Sequence, residues 1–334
     1  MNHVAFFFGS TAVYWHGCIM ALAILGAVLA GVMLRTMQNK TPNAVLLTAV
    51  LSLPLGLLCS RLVYWYCAFE QYDGIFDALT SFGEGGHSLA GAMIGVLLAC
   101  VIAWRMGVTA SFAQLLDCVV PAGLLGIGIG RLSGFFSADD KSKIIFESEV
   151  LQRLPFSTEI INEATGVSEW RFATFLFEAL AALIAFVVCV RMVAKSRQQG
   201  SSRQTQSIPN GAVALMGMSI FGSTQVVLES TRYDSLFLRS NGFISLMQMV
   251  GLVMMLIPLV IFSVWSIRKG GSTTGRHVFG WLLSTVLLGE AAYMEYYVQR
   301  HASDYVICYA VMLLCVLLVC LITSTFCSAC SEEQ

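Results

Sequence analysis

Charged side chains lie within hydrophobic stretches of this sequence whose neighbours give them no evident purpose. Arg61 stands in CSRLVYWY, Arg131 in GIGIGRLSG, Glu178 in FATFLFEAL, and Glu229 with Arg232 in VVLESTR; Asp117 and Arg239 complete the set. In hydrocarbon each costs at least a few kcal/mol, so each needs a partner or a task. The arginines point to anion chemistry, because a guanidinium fork donates two parallel hydrogen bonds that match a phosphate. Taken singly, plain roles are available. Arg131 and Arg239 can snorkel to headgroups, Glu229 and Arg232 can form an i,i+3 pair, and Asp117 can cap a helix. Arg61 and Arg131 together are hard to place as anchors and weigh toward function. His16 and His87 are the side chains suited to moving a proton near neutral pH, although a lone histidine at a membrane boundary is more often simply hydrogen-bonded.

The elements that must position these groups follow from composition. The chain has 334 residues, 57% hydrophobic and 12% charged, with mean hydropathy +0.76. A soluble domain carries about twice that charged fraction. Apolar runs of about 20 residues, the length of a membrane span, recur at roughly 13–34, 44–68, 86–104, 112–130, 170–192, 210–229, 242–266, 278–296 and 304–326. The expected fold is therefore all-α, a polytopic membrane bundle of about nine transmembrane helices. The second span contains Pro54, which favours a kink or tilt, and glycines in the third and fourth favour close helix packing.

Loop charge orients the bundle. Arg35, Lys40, Arg105, Arg191, Lys195, Arg197, Arg203, Arg268, Lys269 and Arg276, ten of the nineteen Lys and Arg residues, all follow odd-numbered spans. The loop after span two carries Glu70, Asp73, Asp77 and Glu84 and no Lys or Arg. The positive-inside rule then puts the N-terminus outside and the C-terminus in the cytoplasm. Arg61, Arg131, Glu229, Arg232 and Arg239 fall in the outer half of the bilayer. The longest outer connection, about 132–169, is long enough for a small external subdomain or lid, and 196–209 reads as a flexible cytoplasmic linker.

Other chemistries are disfavoured. Most of the eleven cysteines lie in apolar runs and read as small hydrophobes. Cys327 and Cys330 form a CxxC with no second pair beside it, a weak metal or redox signal. There is no HExxH, no metal-spaced His/Cys/Asp cluster and no P-loop. GLLGIGIGR follows no strand, so its glycines read as helix packing rather than a dinucleotide loop. No basic stripe suits nucleic acid. Residues 1–10 lack a basic n-region and a small-residue cleavage site, so the first span is expected to stay in the membrane.

Residues 117–140, DCVVPAGLLGIGIGRLSGFFSADD, resemble the signature of the bacterial prolipoprotein diacylglyceryl transferases: an Asp, a Pro four residues on, a glycine-rich span, then GRxGNFxNxE. Further stretches match in order. GSTAVYWHG resembles the first-span WYG motif, SRLVYWY resembles GRxxYV, and GGHSLAGAMIG resembles GGxxxHGGxIG or its tyrosine form. LEST followed by Arg232 resembles EFxR, and FLFEAL the remains of HPxQLYE. The resemblance covers roughly residues 10–266. It implies a core over 1–270, with 132–169 extracytoplasmic, and makes 271–334 an addition of two helices and a short cytoplasmic tail.

The resemblance implies a transferase of the bacterial cytoplasmic membrane that moves diacylglyceryl from phosphatidylglycerol to the lipobox cysteine thiol of preprolipoproteins. The implied partners are phosphatidylglycerol, preprolipoprotein signal peptides and membrane lipids, with no cofactor and no metal. Arg131, Arg232, Arg61 and Arg239 are the implied phosphate-binding residues, and His87, His16, Arg131 and Arg232 the catalytic candidates. Glu229, Asp117, Asp139 and Glu178 would orient them. The sequence departs from the pattern at Ala90, Ser133, Gly134, Ser137 and the apolar run Phe172–Phe177, where the family carries His or Tyr, Gly-Asn, Asn and a polar HPxQLY. His87, one helical turn before Ala90, can partly replace the lost side chain. Two alternatives stand beside the enzyme: a catalytically degenerate relative that binds anionic lipid or lipoprotein signal segments, and, more weakly, a solute or ion transporter.

Overall fold

The computed structural model describes residues 4–9, 11–80, 85–136, 142–161, 166–199, 209–238, 244–269, 274–301 and 305–330. Asp139 and Arg239 lie outside the described residues.

All nine apolar segments are helices. They are α1 (Trp15–Met37), α2 (Asn43–Cys67), α4 (Leu89–Arg105), α5 (Phe112–Arg131), α7 (Thr174–Gln199), α8 (Ala212–Leu228), α9 (Leu246–Arg268), α10 (Thr274–His301) and α11 (Tyr305–Ala329). Two short helices, α3 (Ile75–Thr80) and α6 (Glu149–Gln152), lie in connections. Seven of the nine are long and apolar enough to cross a bilayer. α4, with 17 residues, spans about 25 Å at 1.5 Å per residue, short of a ~30 Å core. α10 has the length but is more polar, with Glu290 and Glu295 inside it.

Helix boundaries depart from the apolar runs where polar backbone geometry takes over. α4 starts at Leu89 rather than 86, because Ser88 caps it by accepting from Gly91 N–H, while Gly85 and Gly86 take φ of +75° and +78°. α7 starts at Thr174 rather than 170, since Ser168–Phe172 is a strand, β4. It pairs antiparallel with β3 (Ser157–Ile161), from Ser157 opposite Phe172 to Ile161 opposite Ser168. Phe146, Phe156, Phe172 and Phe177 pack ring to ring beneath this hairpin. A second hairpin, β1 (Val4–Phe8) with β2 (Thr11–Tyr14), precedes α1.

Neighbours pack α2 on α4, α1 on α5, α5 on α7, α7 on α8 and α8 on α9. Gly91 and Gly95 bring α4 against α2 so closely that a Cβ on either would run into the backbone of Cys59–Ser60 or Leu55–Gly56. Small residues allow such backbone approach, which drives association where lipid removes the hydrophobic incentive. The C-terminal hairpin, α10 with α11, docks through α11 on α8 and α9. Its core joins Met312, Cys315, Val316 and Val319 to Met255, Leu259 and Phe262 of α9.

All eleven cysteines are free, and nine of them are buried. Cys330 Sγ donates to the Phe262 carbonyl at 3.4 Å, so this end of the CxxC packs as part of a helix contact.

Candidate active site

Three elements bring two arginines onto one carboxylate. Arg131 is the last residue of α5, Glu178 lies in the second turn of α7, and Glu229 opens the 3-10 turn Glu229–Thr231 that continues α8 and delivers Arg232. Glu178 is wholly buried, and its Oε2 accepts from Arg131 Nε at 3.0 Å and Arg232 Nη1 at 3.2 Å. Its Oε1 is buried with no hydrogen-bond partner. Glu229 Oε2 lies 3.8 Å from Arg232 Nε. The fork of Arg232 then closes on Asp234, with Nε 3.1 Å from Oδ1 and Nη2 2.7 Å from Oδ2. Asp234 is the most exposed member at 36%, so one carboxylate at the mouth of the cluster holds the guanidinium face. That two-point grip is the geometry by which a guanidinium also takes a phosphate.

The Glu229–Arg232 turn is held from outside as well. Ser142 Oγ and Lys143 N–H both donate to the Thr231 carbonyl, at 3.0 and 2.8 Å, and Thr174 and Thr231 share a 2.7 Å hydroxyl contact. Residues 142–143, in the connection between α5 and α7, and the first residue of α7 thereby fix the backbone that aims Arg232.

Arg61, 1% exposed, donates through Nη1 to the carbonyls of Gly85 and Gly86, the latter at 2.9 Å, and lies 5.8 Å from the Tyr72 ring. It therefore supports the loop that presents His87, a different task from the phosphate contact expected of it. Gly86 fits because its φ of +78° suits glycine and because a Cβ there would meet Arg61, Tyr64 and Tyr72. Ser60 Oγ donates to the Ser88 carbonyl at 2.9 Å, and Ser88 N–H returns the contact at 2.8 Å, locking loop to helix. His87 itself is exposed, and partial desolvation, then the charge of Arg61, pull its imidazole below the ordinary value.

His16 is exposed in the first turn of α1, next to Trp15, which stacks on Phe136 at 5.7 Å just beyond Arg131. Arg131, Glu178, Arg232, His16 and His87 thus sit at helix ends of one side of the bundle.

Asp117 does not belong there. Its Oδ2 accepts from Gly211 N–H at 2.6 Å and its Oδ1 from Ala214 N–H at 2.9 Å, so it caps α8 at the opposite end. Fourteen residues of α5, about 21 Å of rise, separate it from Arg131. The cap is needed because Gly211, at φ +92°, brings no side chain of its own to the unpaired N–H groups of α8.

Sequence reasoning also missed Asp234, which sits in a polar run where an acid is unremarkable, and the filling of the site's apolar wall. Gly134 packs against the Phe175 ring, and Phe135 meets Phe175 edge-on at 4.8 Å, so aromatic surface occupies the neighbourhood of the two positions where the motif has drifted. Among the described residues no group of three or more His, Cys, Asp or Glu is placed to hold a metal ion.

The fold and site define a multi-pass helical membrane protein with an arginine–carboxylate centre at one end of the bundle. The prolipoprotein diacylglyceryl transferase family model matches residues 3–264, and the chain belongs to that family. Among similar proteins, the phosphatidylglycerol–prolipoprotein diacylglyceryl transferase of Ligilactobacillus salivarius is 27% identical over 240 residues, 72% of this chain and 85% of its own. Those of Finegoldia magna and Bacillus licheniformis are each 24% identical, covering 78% and 79% of this chain and 94% and 92% of theirs. The matched region ends near the C-terminus of α9, so α10 and α11 lie beyond it.

Proposed function

We propose that the chain transfers diacylglyceryl from phosphatidylglycerol to the lipobox cysteine thiol of a preprolipoprotein, at the extracytoplasmic side of the bacterial cytoplasmic membrane. The observation that carries this reading is the convergence of Arg131 and Arg232 on buried Glu178. In the reaction the thiolate sulfur attacks the glyceryl carbon bearing the phosphate ester. A C–S bond forms, the C–O bond breaks, and glycerol-1-phosphate leaves. The leaving phosphate gains one negative charge, which Arg131 and Arg232 are placed to stabilise. The thiol proton goes to a histidine, and His87, on the loop that Arg61 holds through the Gly86 carbonyl, is the first candidate. Glu178 and Glu229 orient the arginines. Lys and Arg placement supports an outer N-terminus and a cytoplasmic C-terminus.

A second reading, a binding protein that has lost catalysis, draws on Ala90, Ser133, Gly134 and the apolar run before Glu178. Complementation of a conditional transferase deletion separates the two. The intact chain is expected to restore growth and lipidation, with Arg131→Ala failing. An inserted, folded wild-type chain that leaves prolipoprotein unmodified would sink the enzymatic reading.

A further inference from the structure

The two helices beyond the family core reach back to the site by polar contacts, and they do so on one segment. Tyr309 of α11 lies with its hydroxyl 3.4 Å from both the Ser230 hydroxyl and the Ser230 carbonyl, inside the turn that carries Glu229 and Arg232. Glu295 of α10 accepts at Oε1 from Gln248 Nε2 at 3.1 Å and from Gln299 Nε2 at 2.6 Å. Gln248 in turn donates to the Val226 carbonyl, one turn before Glu229, and its Oε1 accepts from Ser245 N–H in the capping box that starts α9. The hairpin therefore reaches residues 226–230 through both of its helices, at Ser230 directly by Tyr309 and at Val226 through Gln248 by Glu295. Simple hydrophobic docking of an extra hairpin does not call for this. Glu295 is 6% exposed and its Oε2 is buried without a partner, a costly setting for a carboxylate that marks it as serving a task.

We infer that Tyr309 and Glu295 are positioning residues of the site. They hold the 226–230 segment, and through it Glu229 and Arg232, in the orientation that the phosphate contact requires. The hairpin completes a cage whose other walls are Ser142, Lys143 and Thr174. Neither residue touches the reacting atoms. This inference rests on the transferase reading for its kinetic consequence but not for its structural one.

The test uses the full chain in detergent with phosphatidylglycerol and a lipobox peptide, together with hydrogen exchange on the same samples. One lost hydrogen bond corresponds to roughly a three- to tenfold effect. Tyr309→Phe is expected to lower kcat by that factor while the KM for phosphatidylglycerol moves less. Ser230→Ala combined with Tyr309→Phe should do no more than the worse single change, as for residues sharing one contact. Glu295→Ala should lower kcat similarly, with partial recovery in Glu295→Gln, which keeps an acceptor. Exchange should rise over 226–235 in Tyr309→Phe and Glu295→Ala and stay unchanged in the first turns of α8. Wild-type kcat in Tyr309→Phe, or additive effects with Ser230→Ala, overturns the inference. If the wild type transfers nothing, the transferase reading fails, and exchange alone decides whether the hairpin orders the segment: unchanged protection over 226–235 refutes it.

Discussion

Arg232 makes its strongest contacts to two carboxylates of unequal standing. Glu178 is enclosed and shared with Arg131, whereas Asp234 is partly exposed and holds the outer edge of the fork at 2.7 and 3.1 Å. A phosphate approaching that edge must displace Asp234. Asp234→Asn removes the competing charge, and solvent at the 36%-exposed carboxylate screens the pair to on the order of 1 kcal/mol. The KM for phosphatidylglycerol is therefore expected to fall about three- to fivefold. Steady-state kinetics against lipid concentration checks this, and a raised KM would mean that Asp234 serves to hold Arg232 ready instead.

His87 has its imidazole shifted down from 6.5, so it is neutral at pH 7 and able to accept. As pH falls through the lowered value the base is protonated and the rate drops. The kcat/KM profile should show an acid limb with its midpoint below 6.5. His87→Gln should remove that limb and cost about 10²- to 10⁴-fold in rate. A limb that persists in His87→Gln and disappears in His16→Gln would hand the proton to His16.

Some of these residues were legible and others were not, for physical reasons. Glu178 stands out because a lone acid inside FATFLFEAL has no local explanation. Glu295, inside AAYMEYYV, has the same signature and could have been found by the same rule. Asp234 and Tyr309 give no such signal. Asp117 gives a misleading one, because a buried carboxylate reads alike whether it serves chemistry or a helix terminus.

At the scale of elements, the α2–α4 contact sets where the His87 loop sits. Gly91 and Gly95 face the backbone of α2 at Cys59–Ser60 and Leu55–Gly56, and the Ser60–Ser88 pair fixes the register just above them. A larger side chain must force the helices apart and lift Arg61 from Gly85 and Gly86. Gly91→Val is expected to cost about 1–3 kcal/mol, as overpacking does, and to lower activity beyond its effect on stability. Thermal melts and lipidation of the folded fraction measure the two separately. Gly123, where a Cβ would meet no other part of the protein within 4 Å beyond its own helix backbone, is the control, and Gly123→Ala should do neither. Glycine content in these spans advertised close packing. It could not say which helix is the partner, since that depends on tertiary arrangement and not on spacing.

The whole bundle was the most legible level. Nine apolar runs became nine helices because length and hydropathy are what the bilayer demands. The left-handed glycines before α4 and the two β-hairpins escaped because a tight loop and short strands leave little periodic trace. Loop charge predicts an outer N-terminus and a cytoplasmic C-terminus. A reporter fused after residue 334 should be active only in the cytoplasm, and one placed before α1 only outside. The reverse pattern would move the arginine cluster to the inner leaflet and with it the proposed meeting point of lipid and thiol.

The cap that Asp117 places on α8 has a consequence for how genetic data on this chain should be interpreted. α8 leads at its far end into the turn that carries Glu229 and Arg232, so a change in its tilt is felt about 25 Å away along its axis. A loss-of-function screen would then score Asp117 beside Arg131, although the two share no chemistry. The discriminating sign is temperature: an Asp117→Asn phenotype should ease in the cold, when a weakened terminus suffices, while Arg131→Ala should stay null at every temperature.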